Sequence, residues 1–209
     1  MTYLVLAMLL FCGSHLLLGN SNLRDPITAK LGRTGFRGLF ALVALGTLGL
    51  AIWAFAEAPY VGLYDPPLPL RHITVTLMFF AFALIAFGNM PKPHGGTASG
   101  IRTITRNPVL WGVFLWAVLH MIANGDLAAW IFFGSMALLV PLGTWQLDRR
   151  LGFDDQTSNI PFAAIMAGRS RLDWRGLRPQ GWLMALAMWI VVLALHGFIF
   201  GVEPVPMPW

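Results

Sequence analysis

Residues 1–19 read MTYLVLAMLLFCGSHLLLG and contain no Lys, Arg, Asp or Glu. A helix needs roughly 20 apolar residues to cross the hydrocarbon core of a bilayer. This stretch lacks a basic leading segment, and no small-residue cleavage site follows it cleanly. It therefore predicts a retained transmembrane helix rather than a removed signal peptide.

Five more stretches have the same apolar character, which makes the fold class all-α. The six predicted spans are residues 2–18, 38–56, 70–88, 108–123, 127–145 and 182–201. Only 11% of the 209 residues are charged, whereas a typical soluble domain has about 25%. The sequence therefore predicts a polytopic bundle of six transmembrane helices with the lipid bilayer as its surroundings.

The basic residues predict the orientation of this bundle. Thirteen of the fourteen Lys and Arg residues lie between spans one and two, three and four, or five and six, and Arg71 is the exception. Because short cytoplasmic loops are enriched in Lys and Arg, both termini are predicted to lie outside the cytoplasm. The same rule accounts for the pI of 10.1, so we reject a nucleic-acid-binding protein.

The segment between spans four and five is short and polar. Its tripeptide Asn124-Gly125-Asp126 is typical of a tight turn. Aspartate is also one of the preferred residues at the N-cap of a helix. We therefore predict that Asp126 caps the fifth helix.

Two histidines, His15 and His120, lie inside predicted spans. At a rise of 1.5 Å per residue, His15 lies about 20 Å below the outer surface and His120 about 18 Å above the inner one. In a core about 30 Å thick, these levels differ by less than about 10 Å. Because imidazole is the usual axial ligand of haem iron, one hypothesis is that the two rings ligate one haem.

The residues alone leave a second interpretation of each histidine open. Polar side chains in membrane helices also form hydrogen bonds that hold helices together. Trp116 lies one helical turn before His120 and is predicted to contact a cofactor, and Cys12, three residues before His15, is a reserve metal ligand. Cys12 is the only cysteine, which excludes an internal disulfide and a CxxC motif.

Two other positions carry reserve hypotheses. His196 in span six could replace either histidine or join a non-haem metal site, since imidazole suits Zn, Cu and Fe. Its depth favours a structural role near the interface. Arg106, at the inner end of span four, could bind a haem propionate or a lipid phosphate. For any single arginine, ordinary orientation charge is the better explanation.

Several stretches, in order along nearly the whole chain, together resemble one known family. They are FCGSHLL (11–17), TRNPVLWG (105–112), LWAVLH (115–120), NGD (124–126), IPF (160–162), GR (168–169), HG (196–197) and FGV (200–202). The family they resemble is NnrU. It usually has Arg-His-Pro where this chain has Arg106-Asn107-Pro108, so position 107 is assigned no ligand role.

The resemblance implies a cofactor and a location. NnrU proteins are associated with nitrite and nitric oxide metabolism in denitrifying bacteria. They are similar to 15-cis-zeta-carotene isomerase, a membrane protein in which histidines of two helices ligate haem b. The matching positions are His15 and His120. The resemblance thus implies one NnrU-like domain over residues 1–209 in a bacterial inner membrane. Trp116 and Arg106 are predicted, from their positions alone, as further cofactor contacts.

The resemblance leaves the activity open. If the chain is an enzyme, the family similarity implies a haem-dependent cis–trans isomerase of a carotenoid-like polyene. The other expected partner is a small gaseous ligand such as nitric oxide. Plant isomerases have a cysteine where this chain has Ala117, so a thiolate switch is not expected there. The alternative is a non-haem membrane protein, such as an assembly or scaffold factor, a transporter or a methyltransferase-like enzyme.

Overall fold

The computed structural model describes residues 1–91, 98–152 and 156–204, and it confirms the all-α fold class across these ranges. The helices are α1 (Thr2–Gly19), α2 (Ser21–Ala56), α3 (Leu68–Asn89), α4 (Pro108–Asn124), α5 (Leu127–Leu151), α6 (Ala163–Met166) and α7 (Pro179–Phe200). A short 3-10 helix at Gly100–Thr103 precedes α4.

Among the described residues, five helices are long and apolar enough to cross a membrane. They are α1, α2, α3, α5 and α7. The sixth predicted span corresponds to α4, which is apolar but has 17 residues. The chain is therefore a multi-pass membrane protein, while the count of six spans and the orientation of the termini stay predictions.

The basic segment predicted as a connection between spans one and two is helical. Only Asn20 separates α1 from α2, and its side chain accepts a hydrogen bond from the Asn22 N–H at 2.9 Å. The helix then breaks at Gly32, where φ is 71° and ψ is 170°. This left-handed region of φ is open to glycine because it lacks a Cβ. The predicted span 38–56 is thus the later part of a longer, interrupted helix.

The predicted cap of the fifth helix is confirmed. The Asp126 carboxylate accepts a hydrogen bond from the Ala129 N–H at 2.9 Å, and Gly125 has a φ of 68°. The helix continues past the predicted end at residue 145 and reaches Leu151. In this extension the Arg149 guanidinium lies 4.4 Å from the centre of the Trp145 ring. Such cation–π contact accommodates a charge beside an apolar span.

The contacts divide the chain into two compact units. The first comprises residues 1–65 and 124–152, in which α1 packs against α2 and α5. The loop after α2 is tied to the turn before α5, because the Leu63 N–H donates to Gly125 O and the Leu127 N–H donates to Val61 O, each at 2.8 Å. The ring of Phe55 lies 5.0 Å from that of Phe132 across α2 and α5.

The second unit comprises residues 66–123 and the described part of the chain from 156 onward. Its main helix pair is α3 against α7. Ala83, Ala86, Phe87, Ile101 and Ala185 form its buried apolar core. Small residues at such a contact let the helix backbones approach closely, which is the usual mode of helix packing in membranes.

Within the second unit, α4 approaches α3 closely at Gly112. A Cβ at this position would lie 2.7 Å from Ile85 Cγ1 and 2.8 Å from the carbonyl oxygen of Ala81. The second of these atoms belongs to a helix backbone and cannot rotate away. The glycine is therefore required by the packing of the two helices.

Replacing Gly112 with alanine tests this contact. We expect Gly112→Ala to lower the thermal unfolding midpoint in detergent, because overpacking costs about 1–3 kcal/mol. The matched control is Gly49→Ala in α2, where a Cβ would meet no atom within 4 Å. Circular dichroism melts of both variants check the expectation, and equal midpoints for the two would contradict it.

Candidate histidine site

His15 is held in α1 by its own helix and by two aromatic rings. Its Nδ1 lies 2.8 Å from the carbonyl oxygen of Phe11, one turn earlier. A carbonyl oxygen can only accept, so Nδ1 carries the proton and the lone pair is on Nε2. The ring centres of Phe11 and of Phe40 in α2 lie 4.3 and 5.3 Å from the imidazole. The nitrogen able to bind a metal is thus Nε2.

Cys12, the reserve ligand three residues before His15, contacts a different helix. Its thiol donates a weak hydrogen bond to the Ser135 carbonyl oxygen in α5 at 3.7 Å. Cys12 also lines an apolar cavity of about 230 Å³ between α1 and α5, whereas His15 packs against Phe40 of α2. Phe11 therefore contacts the His15 ring, whereas the Cys12 thiol contacts α5.

His120 repeats the hydrogen bond of His15 in α4. Its Nδ1 lies 2.9 Å from the carbonyl oxygen of Trp116, again one turn earlier. The two ring centres are 4.9 Å apart, with a tilt of 52° between the planes. Trp116 therefore contacts His120 through both its carbonyl and its indole, as the spacing predicts. The tautomer of His120 is fixed in the same way as that of His15.

The structure brings His120 together with His196 of α7. Their ring centres are 6.4 Å apart and their planes differ by 19°. The Nδ1 of His196 lies 2.7 Å from the carbonyl oxygen of Val202, and the ring of Phe200 lies 4.9 Å away. His120 and His196 both belong to the second unit, and His15 belongs to the first. The spacing of residues in the sequence does not indicate that α4 lies near α7, so His196 was predicted only as a reserve ligand.

Three-ligand metal clusters are not formed by the part of the chain that the structure describes. In residues 1–91, 98–152 and 156–204, no group of three or more His, Cys, Asp or Glu side chains is placed to hold an ion. A haem iron needs only one or two axial side chains from the protein.

Arg106 is engaged with protein backbone. Its guanidinium donates to the carbonyl oxygen of Thr157 at 2.7 Å, and its backbone N–H donates to Ser158 O at 2.9 Å. The nearby Arg102 guanidinium donates to the Gly88 carbonyl at the end of α3 at 2.9 Å, and burial lowers the pKa of Arg102. The contacts of Arg106 thus join the start of α4 to the loop from residue 156.

Buried hydrogen bonds complete this junction. Thr105 is fully buried, and its hydroxyl donates to the Asn159 carbonyl at 2.7 Å. The Asn159 side-chain oxygen accepts from the Asn107 amide at 3.2 Å and from the Trp111 indole at 3.4 Å. Asn107, which stands where the family usually has histidine, therefore has a structural role here. Asn159 was not predicted, because it lies in a distant loop with no motif of its own.

Thr105→Val tests whether this junction stabilises the second unit. Valine keeps the shape of threonine but leaves the buried Asn159 carbonyl without this donor, which costs about 1–3 kcal/mol. We expect a lower thermal unfolding midpoint in detergent. Thr47→Val is the control, because its hydroxyl donates to the Val43 carbonyl within its own helix. If Thr47→Val lowers the unfolding midpoint as much as Thr105→Val does, the junction does not stabilise the second unit.

A family model described as NnrU protein matches residues 3–204. No curated protein and no solved structure matches the chain.

Proposed function

The chain belongs to the NnrU family, and on this premise we propose that it is a haem b-binding membrane protein whose iron is ligated by His15 and His120. The observation that supports the proposal is that both rings make the same kind of hydrogen bond, each to its own helix. Each has its Nδ1 within 2.9 Å of the carbonyl oxygen one turn earlier in its helix. The two histidines thus present the same tautomer from two different helices.

This shared hydrogen bond is the one expected of metal-ligating histidines. Such residues almost always donate their second ring N–H to a carboxylate, a backbone carbonyl or water, which fixes the ring and makes the ligating nitrogen more basic. In His15 and His120 the donor is Nδ1, so the ligating atom would be Nε2. The donor set therefore fits haem iron, for which neutral imidazole is the usual axial ligand.

The surroundings of both rings would support the cofactor. Phe11 and Phe40 flank His15, and Trp116 flanks His120. These rings pack against the imidazoles, and Trp116 is kept as a proposed cofactor contact. Arg106 is instead assigned to the junction with the loop at Thr157. When bound, haem supplies an iron centre that can change its oxidation state and accept an added ligand.

The activity we propose is redox-gated cis–trans isomerisation of an apolar polyene, at the inner membrane of a bacterium. This activity rests on the similarity of the family to 15-cis-zeta-carotene isomerase. For a role in nitrite and nitric oxide metabolism, His15 and His120 would hold the haem, which would supply an iron centre able to bind nitric oxide. Both proposals require the same haem and the same two histidines.

Absorption spectroscopy tests the haem proposal. The full chain is purified in detergent from cells supplied with excess haem, and spectra are recorded before and after reduction with dithionite. We expect a Soret band in the wild type, and we expect His15→Ala and His120→Ala each to shift or abolish it, because each removes an axial ligand.

The matched control is His72→Ala, since His72 is an exposed histidine at the start of α3. Its spectrum should equal that of the wild type. A colourless wild-type preparation would refute haem binding. A Soret band unchanged in both His15→Ala and His120→Ala would refute the assignment of the ligands.

A further inference from the structure

The apolar cavity between α1 and α5 is open along one side. Leu9 of α1 and Leu138 of α5 both line it, and their side chains are 64% and 63% exposed. Both helices belong to the first unit and are long and apolar enough to cross a membrane, so the open side faces the hydrocarbon of the bilayer. Of the two lining residues with a thiol or hydroxyl, Cys12 already donates to the carbonyl of the other, Ser135. The cavity therefore offers an apolar wall to a molecule that enters from the lipid.

The dimensions of the cavity suit one hydrocarbon chain. Its lining runs from Val5 to Leu16 on α1 and from Ile131 to Leu142 on α5. At a rise of 1.5 Å per residue each wall is about 16 Å long, and one leaflet of the hydrocarbon core is about 15 Å thick. The cavity volume of about 230 Å³ is below the roughly 300–1,000 Å³ of pockets that hold bulky ligands. A single acyl chain therefore fits it better than a rigid ring system does.

The face of α5 that lines the cavity continues to an aromatic and a basic residue. Leu138 and Leu142 line the cavity, and Trp145 and Arg149 follow them at helical spacing, which places all four on one face. The exposed Trp145 ring has the Arg149 guanidinium 4.4 Å from its centre. Tryptophan is enriched where the membrane meets water. The cavity thus leads from the hydrocarbon to the level of the lipid headgroups.

Positive charge is concentrated at this end of the cavity. Arg150 follows Arg149 and is close enough to Arg24 of α2 for their charges to interact. The carboxylates beside them are Asp25, which pairs with Arg24 at 3.3 Å, and the buried Asp148. Three arginines therefore outnumber two carboxylates. Because a guanidinium binds phosphate through strong, often bidentate hydrogen bonds, this end suits an anionic phosphate group.

We propose that the cavity between α1 and α5, together with the arginines at its end, binds one anionic phospholipid. One acyl chain lies along the two helices, and the phosphate lies at Arg149, where the charges of Arg150 and Arg24 add attraction. A free phosphate lacks the apolar contact, and a lipid without net charge lacks the full electrostatic attraction. The site lies in the first unit and uses neither His15 nor His120, so it does not depend on haem.

Native mass spectrometry of the full chain in detergent tests the proposal. The probes are phosphatidylglycerol and phosphatidylcholine with the same acyl chains, and inorganic phosphate is added as a competitor. We expect one saturable molecule of phosphatidylglycerol, bound about tenfold more tightly than phosphatidylcholine and not displaced by phosphate. The double variant Arg149→Gln/Arg150→Gln should weaken phosphatidylglycerol binding about 20-fold, from about fivefold per lost cation, and remove most of the preference.

Matched controls separate the charge and the cavity from general effects. Arg171→Gln/Arg175→Gln removes two exposed arginines of the second unit and should leave lipid binding unchanged. Leu9→Trp should weaken the binding of both lipids, because the larger ring occupies the cavity. Leu10→Trp is its control, since Leu10 is 51% exposed and is not among the residues that line the cavity. Size-exclusion elution and the thermal midpoint verify that each variant is folded.

Three results would overturn the proposal. They are equal affinity of the wild type for the two lipids, wild-type lipid binding by folded Leu9→Trp, and displacement of phosphatidylglycerol by inorganic phosphate, which would indicate a simple anion site. The arginine variants keep the proposal testable if Leu9→Trp misfolds. A colourless protein with the expected lipid preference would refute only the haem, and a haem-binding protein without that preference would refute only the lipid site.

Discussion

An imidazole N–H inside an apolar helix has no water to bond to, and this constraint governs the chemistry of the molecule. An unsatisfied donor in hydrocarbon costs several kcal/mol, so it must find an acceptor within the protein. His15 and His120 solve this within their own helices by donating from Nδ1 to the carbonyl one turn earlier. The hydrogen bond fixes the tautomer, and the lone pair is left on Nε2. The ligand roles proposed for both histidines depend on this assignment.

The same need for partners explains why some candidate binding residues are structural. Arg106 has the charge to hold a propionate or a phosphate, yet its guanidinium donates to the Thr157 carbonyl. Asn159 and Thr105 extend that junction with side-chain hydrogen bonds. A connection between apolar helices must satisfy its backbone carbonyls, and nearby polar side chains do so. The polar residues around the start of α4 therefore bond to the loop that follows residue 156, and this structural role accounts for their contacts without a ligand.

Hydropathy predicted the all-α class and the positions of the long spans, because a transmembrane helix requires a continuous stretch of apolar residues that can be recognised without knowledge of the tertiary structure. The cap at Asp126 was also predictable, since it depends on one residue and the N–H of Ala129. The helical turns before Gly32 were not predicted, because that segment is polar and Pro26 lies inside its helix, where proline is disfavoured. The pairing of His120 with His196 could not be predicted either. It depends on the packing of α4 and α7, and no local spacing encodes it.

Each of the two proposed haem ligands is oriented within its own helix. His15 donates to the Phe11 carbonyl in α1 and His120 donates to the Trp116 carbonyl in α4, and the two helices belong to different units. Neither hydrogen bond therefore depends on a contact from the other helix. A cofactor that recruits both rings would need no change of tautomer at either one, because the carbonyl one turn earlier already leaves the lone pair on Nε2.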